Sequence, residues 1–107
     1  MKVAVLDDVE QDRILLQENI LTWLREFSPE HEEACEAFSS ATALLERVNS
    51  DVMFDIYFLD IIMEGVSGME AARQIRQLSS SCVIVFVTSY GDYALDAYAV
   101  HPYDFLV

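Results

Sequence analysis

The chain has 107 residues, 53% of them hydrophobic, and six Lys and Arg against nineteen Asp and Glu give a formal charge of −13 and a pI near 4.1. That length suits one domain with a single sizeable core, and the apolar content excludes a disordered chain. The acidity argues against direct nucleic-acid binding, which depends on neutralising phosphates, and suits a domain that attracts cations or basic partner surfaces.

The chain opens with KVAVL, residues 2–6, a short apolar strand that ends directly in Asp7 and Asp8. Residues 9–27 turn helical. Leu16, Ile20, Trp23, Leu24 and Phe27 share one face at the 3.6 period, with Leu21 at its edge, so Trp23 is expected in the core. Pro29 stops this helix, and His31 falls in the polar loop beyond, expected at the surface. Residues 32–38 mix Glu33 and Glu36 with Ala34, Cys35 and Phe38, as an edge strand does. Ser39 or Ser40 caps the next helix, whose Ala41, Leu44, Leu45 and Val48 recur at helical spacing.

The third strand lies in FDIYFLDIIM, residues 54–63. It is apolar from Phe54 to Leu59 except for Asp55, and it ends at Asp60. Ser67 and Glu70 form a capping box for a helix running to about Leu78, with Ala72, Ile75 and Leu78 inward. CVIVFV, residues 82–87, is a continuous apolar run, the mark of a strand covered on both faces, and Thr88 and Ser89 close it. Residues 92–99 make a short helix that Pro102 cannot continue, and YDFLV begins a fifth strand. No apolar run is long enough to span a bilayer and no signal-peptide layout is present, so a cytoplasmic protein without membrane contact is expected. Cys35 and Cys82 form no C-x-x-C motif and are expected as buried thiols in a reducing compartment.

Strand and helix alternate four times before the last strand. That pattern predicts right-handed βαβ units, a mostly parallel sheet and helices on both faces, with strand order 2-1-3-4-5 as one of two common solutions. In that order the C-terminal ends of strands one, three and four are neighbours, which gathers Asp7, Asp8, Asp60 and Thr88 on one rim. Asp60 alone would read as an Asp starting a turn. Three carboxylates on one rim repel each other, and such a cluster persists if a hard cation neutralises it. Oxygen ligands suit Mg²⁺, whereas the thiols and imidazoles that zinc prefers are not at this rim. Acids, a hydroxyl and Mg²⁺ together point to phosphate chemistry.

The blocks VAVLDD, FLDIIMEGVSGMEAAR, VIVFVTSY and YDFLV, in this order along the whole chain, resemble the receiver (CheY-like) domain of two-component response regulators. The tail GDYALDAYAVHPYDFLV is most similar to receivers that precede LytTR-type DNA-binding domains. The resemblance implies an α/β, doubly wound, flavodoxin-like fold: a five-stranded parallel sheet of order 2-1-3-4-5 that lacks the fifth helix. It implies one receiver domain over residues 1–107. Asp60 then takes the place of the phosphoacceptor. Asp7, Asp8, Asp60 and the backbone carbonyl of Ile62 would hold Mg²⁺. Thr88 would be the switch hydroxyl and Phe105 the switch aromatic. A sensor histidine kinase would be the phosphoryl donor, and the module would be a signalling switch for an output domain, not an enzyme.

Three departures from the family pattern stand out. Glu64 replaces the usual Pro after the phosphoacceptor. Residues 98–102 (YAVHP) approach the last strand unusually, with His101 expected at the surface. The family's phosphate-binding Lys would follow Val107, and Lys2, at the opposite end of the first strand, cannot replace it. The expectation is therefore an amino-terminal piece of a longer regulator with no effector domain. Such a piece should keep ion binding, lose about 10²–10³ in phosphoryl-transfer rate and expose apolar surface that favours self-association or strand exchange. A receiver used only as an unphosphorylated interaction module is the main alternative. A haloacid-dehalogenase-type phosphatase needs a second Asp two residues after the nucleophile, where Ile62 stands. A nucleotide-binding Rossmann-like domain needs a glycine pattern that Gly65, Gly68 and Gly91 do not form.

Overall fold

The structure, a computed structural model, describes residues 1–27, 34–50, 52–61, 67–87 and 104–106. Five strands, β1 (Lys2–Leu6), β2 (Ala34–Phe38), β3 (Ile56–Asp60), β4 (Val83–Val87) and β5 (Asp104–Leu106), form one sheet in the order β2-β1-β3-β4-β5. Every pairing is parallel. Three helices are described: α1 (Glu10–Phe27), α2 (Ala41–Asn49) and α3 (Gly68–Leu78). The expected order and edge position of β2 are thus observed, and the fold is the doubly wound α/β, flavodoxin-like one. The helix expected over residues 92–99 lies outside the described residues, as do Pro29, His31, Glu64, His101 and Pro102.

Alternation along the strands divides the core in two. Ala4, Leu6, Tyr57, Leu59, Ile84 and Phe86 point to the face covered by α2 and α3, where they meet Ala41, Leu44, Val48, Met69, Ala72 and Ile75. Val3 and Val5 point the other way, onto Ile20 and Leu24 of α1. That second layer is thinner, and Leu16, Ile56 and Phe58 around it are only half-buried. The caps follow the sequence. Ser40 Oγ accepts from Ala43 N–H at 3.1 Å, and Ser67 Oγ accepts from Glu70 N–H at 3.2 Å. The Glu70 carboxylate turns along the helix toward Arg73 and Gln74.

Four expectations need correcting. Trp23 is not in the core: it is 41% exposed. Ile20 and Leu24, four residues apart, define the line of α1 that meets the sheet, and Gln17 on the same side donates to the Cys35 carbonyl at 2.8 Å. Trp23 is rotated about 100° around the helix from Leu24, onto the flank. Leu78 is 55% exposed, because a spacing of three falls short of a helical turn by about 60° per step and carries it away from Met69, Ala72 and Ile75. Cys35 is half-buried, not fully buried, although burial still pushes its thiol up to about 11. Cys82 is buried as expected.

The fourth correction concerns the start of β3, which begins at Ile56 and not at Phe54. Asp55 joins three strand beginnings instead. Its N–H donates to the Lys2 carbonyl at 2.8 Å, its Oδ2 accepts from Lys2 N–H at 2.8 Å, and its carbonyl accepts from Val83 N–H at 2.9 Å. Phe54 is buried, edge-on to Phe38 and Tyr57 with ring centroids 6.1 and 5.6 Å away.

Candidate metal centre at the carboxyl rim

The parallel register builds the site. Leu6 of β1 lies opposite Leu59 of β3, so the next residues, Asp7 and Asp60, leave the sheet side by side. Asp8 follows before α1 begins at Glu10. One carboxylate oxygen from each of Asp7, Asp8 and Asp60 lies within 4.8 Å of the others. Asp7 is 7% exposed, Asp60 half-buried and Asp8 exposed.

Asp7 is held at several points. Its N–H donates to the Phe38 carbonyl at 3.2 Å, and its Oδ1 accepts from Val9 N–H at 2.9 Å. Its carbonyl accepts from Arg13 Nη1 at 3.1 Å. Burial raises its carboxyl above the ordinary range, the Val9 hydrogen bond opposes this, Asp12 and Asp8 add to the rise, and Arg13 opposes it. A buried carboxylate held beside two others is what a hard divalent cation stabilises. The donor set is all oxygen, and the cluster could hold a metal ion.

Two further features shape the rim. A pocket of about 220 Å³ adjoins the acids, lined by Asp7, Asp12, Leu15, Leu16, Asn19 and Val87. Pockets that bury small molecules usually exceed about 300 Å³, so this pocket by itself is too small to enclose a substrate. On the other side, Gly68 opens α3 hard against the Asp60 backbone.

Of the residues singled out from sequence, Asp7, Asp8 and Asp60 come together. Thr88 and Ile62 lie outside the described residues. Phe105 stands in β5 opposite Phe86, described by its backbone. Arg13 and Gly68 were not legible as parts of the rim. An Arg at the end of the first helical turn carries no mark of reaching back to a strand end, and the sequence marks Gly68 only as a residue beside a cap.

An acidic cluster at the carboxyl ends of β1 and β3, in a 2-1-3-4-5 sheet, defines a class that comparison with known proteins makes specific. A family model described as the response regulator receiver domain matches residues 4–107, and the chain belongs to that family. Several of its curated relatives are sensory transduction proteins named LytT or LytR. It is 35% identical over 107 residues to the "Sensory transduction protein LytT" of Bacillus cereus, covering 100% of this chain and 41% of that protein. It is 30% identical over 109 residues to the "Sensory transduction protein LytR" of Streptococcus mutans, covering 100% of this chain and 42% of that protein. The chain thus spans about two fifths of the length of the curated relatives it matches.

Among solved structures, the response regulator TrrA of Thermotoga maritima superposes with a TM-score of 0.82 at 25% identity, covering 99% of this chain and 84% of that one; it was crystallised with Mg²⁺-BeF. TrrA in complex with the histidine kinase ThkA gives 0.77 at 25% identity over 99% of this chain and 84% of that one. This chain is therefore a receiver domain of two-component response regulators, LytT-like, and a signal-transduction module. Among the described residues no helix is long and apolar enough to cross a membrane.

Proposed function

We propose that this chain accepts a phosphoryl group on Asp60 from a sensor histidine kinase, with Mg²⁺ held by Asp7, Asp8, Asp60 and the backbone carbonyl of Ile62. The observation that carries the proposal is the meeting of three carboxylates from two adjacent strand ends within 4.8 Å. The TrrA structure with Mg²⁺-BeF and the ThkA–TrrA complex support the choice of ion and donor.

Asp60 has two carboxylate oxygens, one for the ion and one to attack phosphorus. Attack forms an O–P bond to Asp60 and breaks the P–N bond of the phosphohistidine; the departing imidazole keeps the electron pair of that bond and leaves neutral because its other ring nitrogen carries a proton. When bound, Mg²⁺ offsets the charge of the carboxylates and of the transferring phosphoryl oxygens. Asp7, held by Val9 N–H and by the Phe38 and Arg13 contacts, presents its remaining oxygen without reorganising. The half-buried carboxylate of Asp60 stays accessible, as a donor carried on another protein requires.

The acyl phosphate adds about −1.5 to −2 charge and new acceptor oxygens. Thr88 would be drawn to them and Phe105 would follow, changing the face of β5 and the segment before it. That change biases two populations and drives dimerisation, and through it a DNA-binding output domain. In this scheme the chain is a receiver domain over residues 1–107, acting in the cytoplasm as a switch and not as an enzyme toward other substrates.

The test is incubation with Mg²⁺ and a small acyl phosphate or phosphoramidate. One hydroxylamine-labile phosphoryl group per chain is expected, absent from Asp60→Asn and absent after chelation. A parent protein that binds Mg²⁺ yet takes up no label from either the small donor or a phosphorylated kinase would leave only the interaction-module role.

A further inference from the structure

Helix α3 starts against the strand that carries Asp60. Its first residue, Gly68, is buried. A Cβ added there would overlap the carbonyl oxygen of Asp60 and would lie 2.8 Å from its carbonyl carbon and 3.3 Å from Ile61 Cα. The φ of Gly68 lies outside the left-handed region, so space, not backbone conformation, demands glycine.

Neither neighbour can easily give way. The obstructing atoms are backbone, in a strand paired with β1 on one side and β4 on the other. Helix α3 in turn buries Met69, Ala71, Ala72 and Ile75 against the core. A side chain at 68 would separate the helix from the end of β3, and the atoms that move would be those bearing the Asp60 carboxylate.

We infer that Gly68 is a positioning residue for Asp60. The first turn of α3 acts as a backstop behind the Asp60 peptide and sets where its carboxylate meets Asp7 and Asp8. This inference rests on the metal-dependent reading of the rim proposed above. Mg²⁺ demands near-octahedral oxygen at about 2.0–2.1 Å, so a displacement of Asp60 approaching an ångström is costly to the site even where the fold survives it.

Calorimetric Mg²⁺ titration, well below the midpoint of unfolding of each protein, tests the idea on four chains: the parent, Gly68→Ala, Ser67→Ala and Ala72→Gly. Gly68→Ala should lose Mg²⁺ affinity on the order of tenfold, the range seen when outer partners of metal ligands are removed. Ala72→Gly destabilises the same helix at a fully buried position one turn beyond Gly68 and should keep parental affinity. Ser67→Ala removes the cap hydrogen bond to Glu70 N–H, loosens the backstop without a clash and should weaken binding by a smaller factor.

Equal Mg²⁺ affinity in the parent and folded Gly68→Ala overturns the inference alone. So does an equal loss in Ala72→Gly, which would make the effect one of general stability. If Gly68→Ala does not fold, parental affinity in Ser67→Ala overturns it. A parent that binds no Mg²⁺ overturns the metal reading, and the inference with it.

Discussion

Two aspartates five positions apart sit at opposite ends of the third strand and meet opposite surroundings. Asp55 lies among strand beginnings, where its carboxylate accepts a backbone N–H and its own amide and carbonyl join β1 and β4. Asp60 lies among strand endings, where its carboxylate faces two others. An acid that meets amides closes the sheet. Acids that meet acids raise the cost of keeping their charge, which a bound cation would offset. Parallel strands enforce the separation, because all their C-terminal ends share one rim and all their N-terminal ends the other.

The largest test of this separation of roles is Leu59→Ala. Leu59 is fully buried one residue before Asp60 and belongs to the core, not the rim. The substitution should cost about 2–5 kcal/mol in denaturant unfolding. Mg²⁺ binding measured while the protein remains folded should change far less than in Gly68→Ala.

Asp60→Asn should act in the opposite sense. It removes one of three like charges, so the ion-free protein should gain on the order of 1 kcal/mol. Its Tm should then no longer rise with added Mg²⁺, whereas the parent's does. A loss of stability without ion would mean that the acids are balanced within the chain.

Asp55→Ala should lower stability by about 0.5–1.5 kcal/mol through the lost Lys2 hydrogen bond, with Mg²⁺ affinity unchanged. A changed affinity would show that the two ends of the sheet are coupled.

The smallest effect is expected at the sheet edge. The Arg47 guanidinium makes two hydrogen bonds to Glu36, at 3.0 and 3.1 Å, and holds that carboxyl below its ordinary value of 4.5. A lowered acid contributes stability above its ordinary value and loses it as pH falls through the lowered one. Glu36→Gln should therefore drop Tm slightly at neutral pH, and the gap should close on acidification below about 4.5. Both side chains are exposed, so the drop stays small.

Much was legible before any coordinates. Apolar runs of five or six residues alternating with helical spacing declare a parallel α/β sheet, since only that arrangement buries every run. The acids that end the first and third runs could be placed on one rim as soon as the strand order was chosen. Helix caps are local chemistry, settled within four residues, so Ser67 was legible and the other cap was narrowed to Ser39 or Ser40, of which Ser40 is the one observed.

Other features depend on how distant segments meet. The period of α1 shows that Leu16, Ile20, Trp23 and Leu24 share a side, but which part of that side touches the sheet is set by packing, which buried Ile20 and Leu24 and left Trp23 on the flank. Asp55 interrupts an apolar run, and nothing local says that it will bind the start of β1. Gly68 sits beside a cap, and its need for space arises from a backbone carbonyl eight residues earlier in the chain. Periodicity and composition thus determined the elements, their alternation and the acids at their ends, because those are properties of contiguous residues. The spacing of Asp7, Asp8 and Asp60 within 4.8 Å, the Arg13 contact and the backstop at Gly68 were decided by tertiary structure, because each is a distance between segments that only packing brings together.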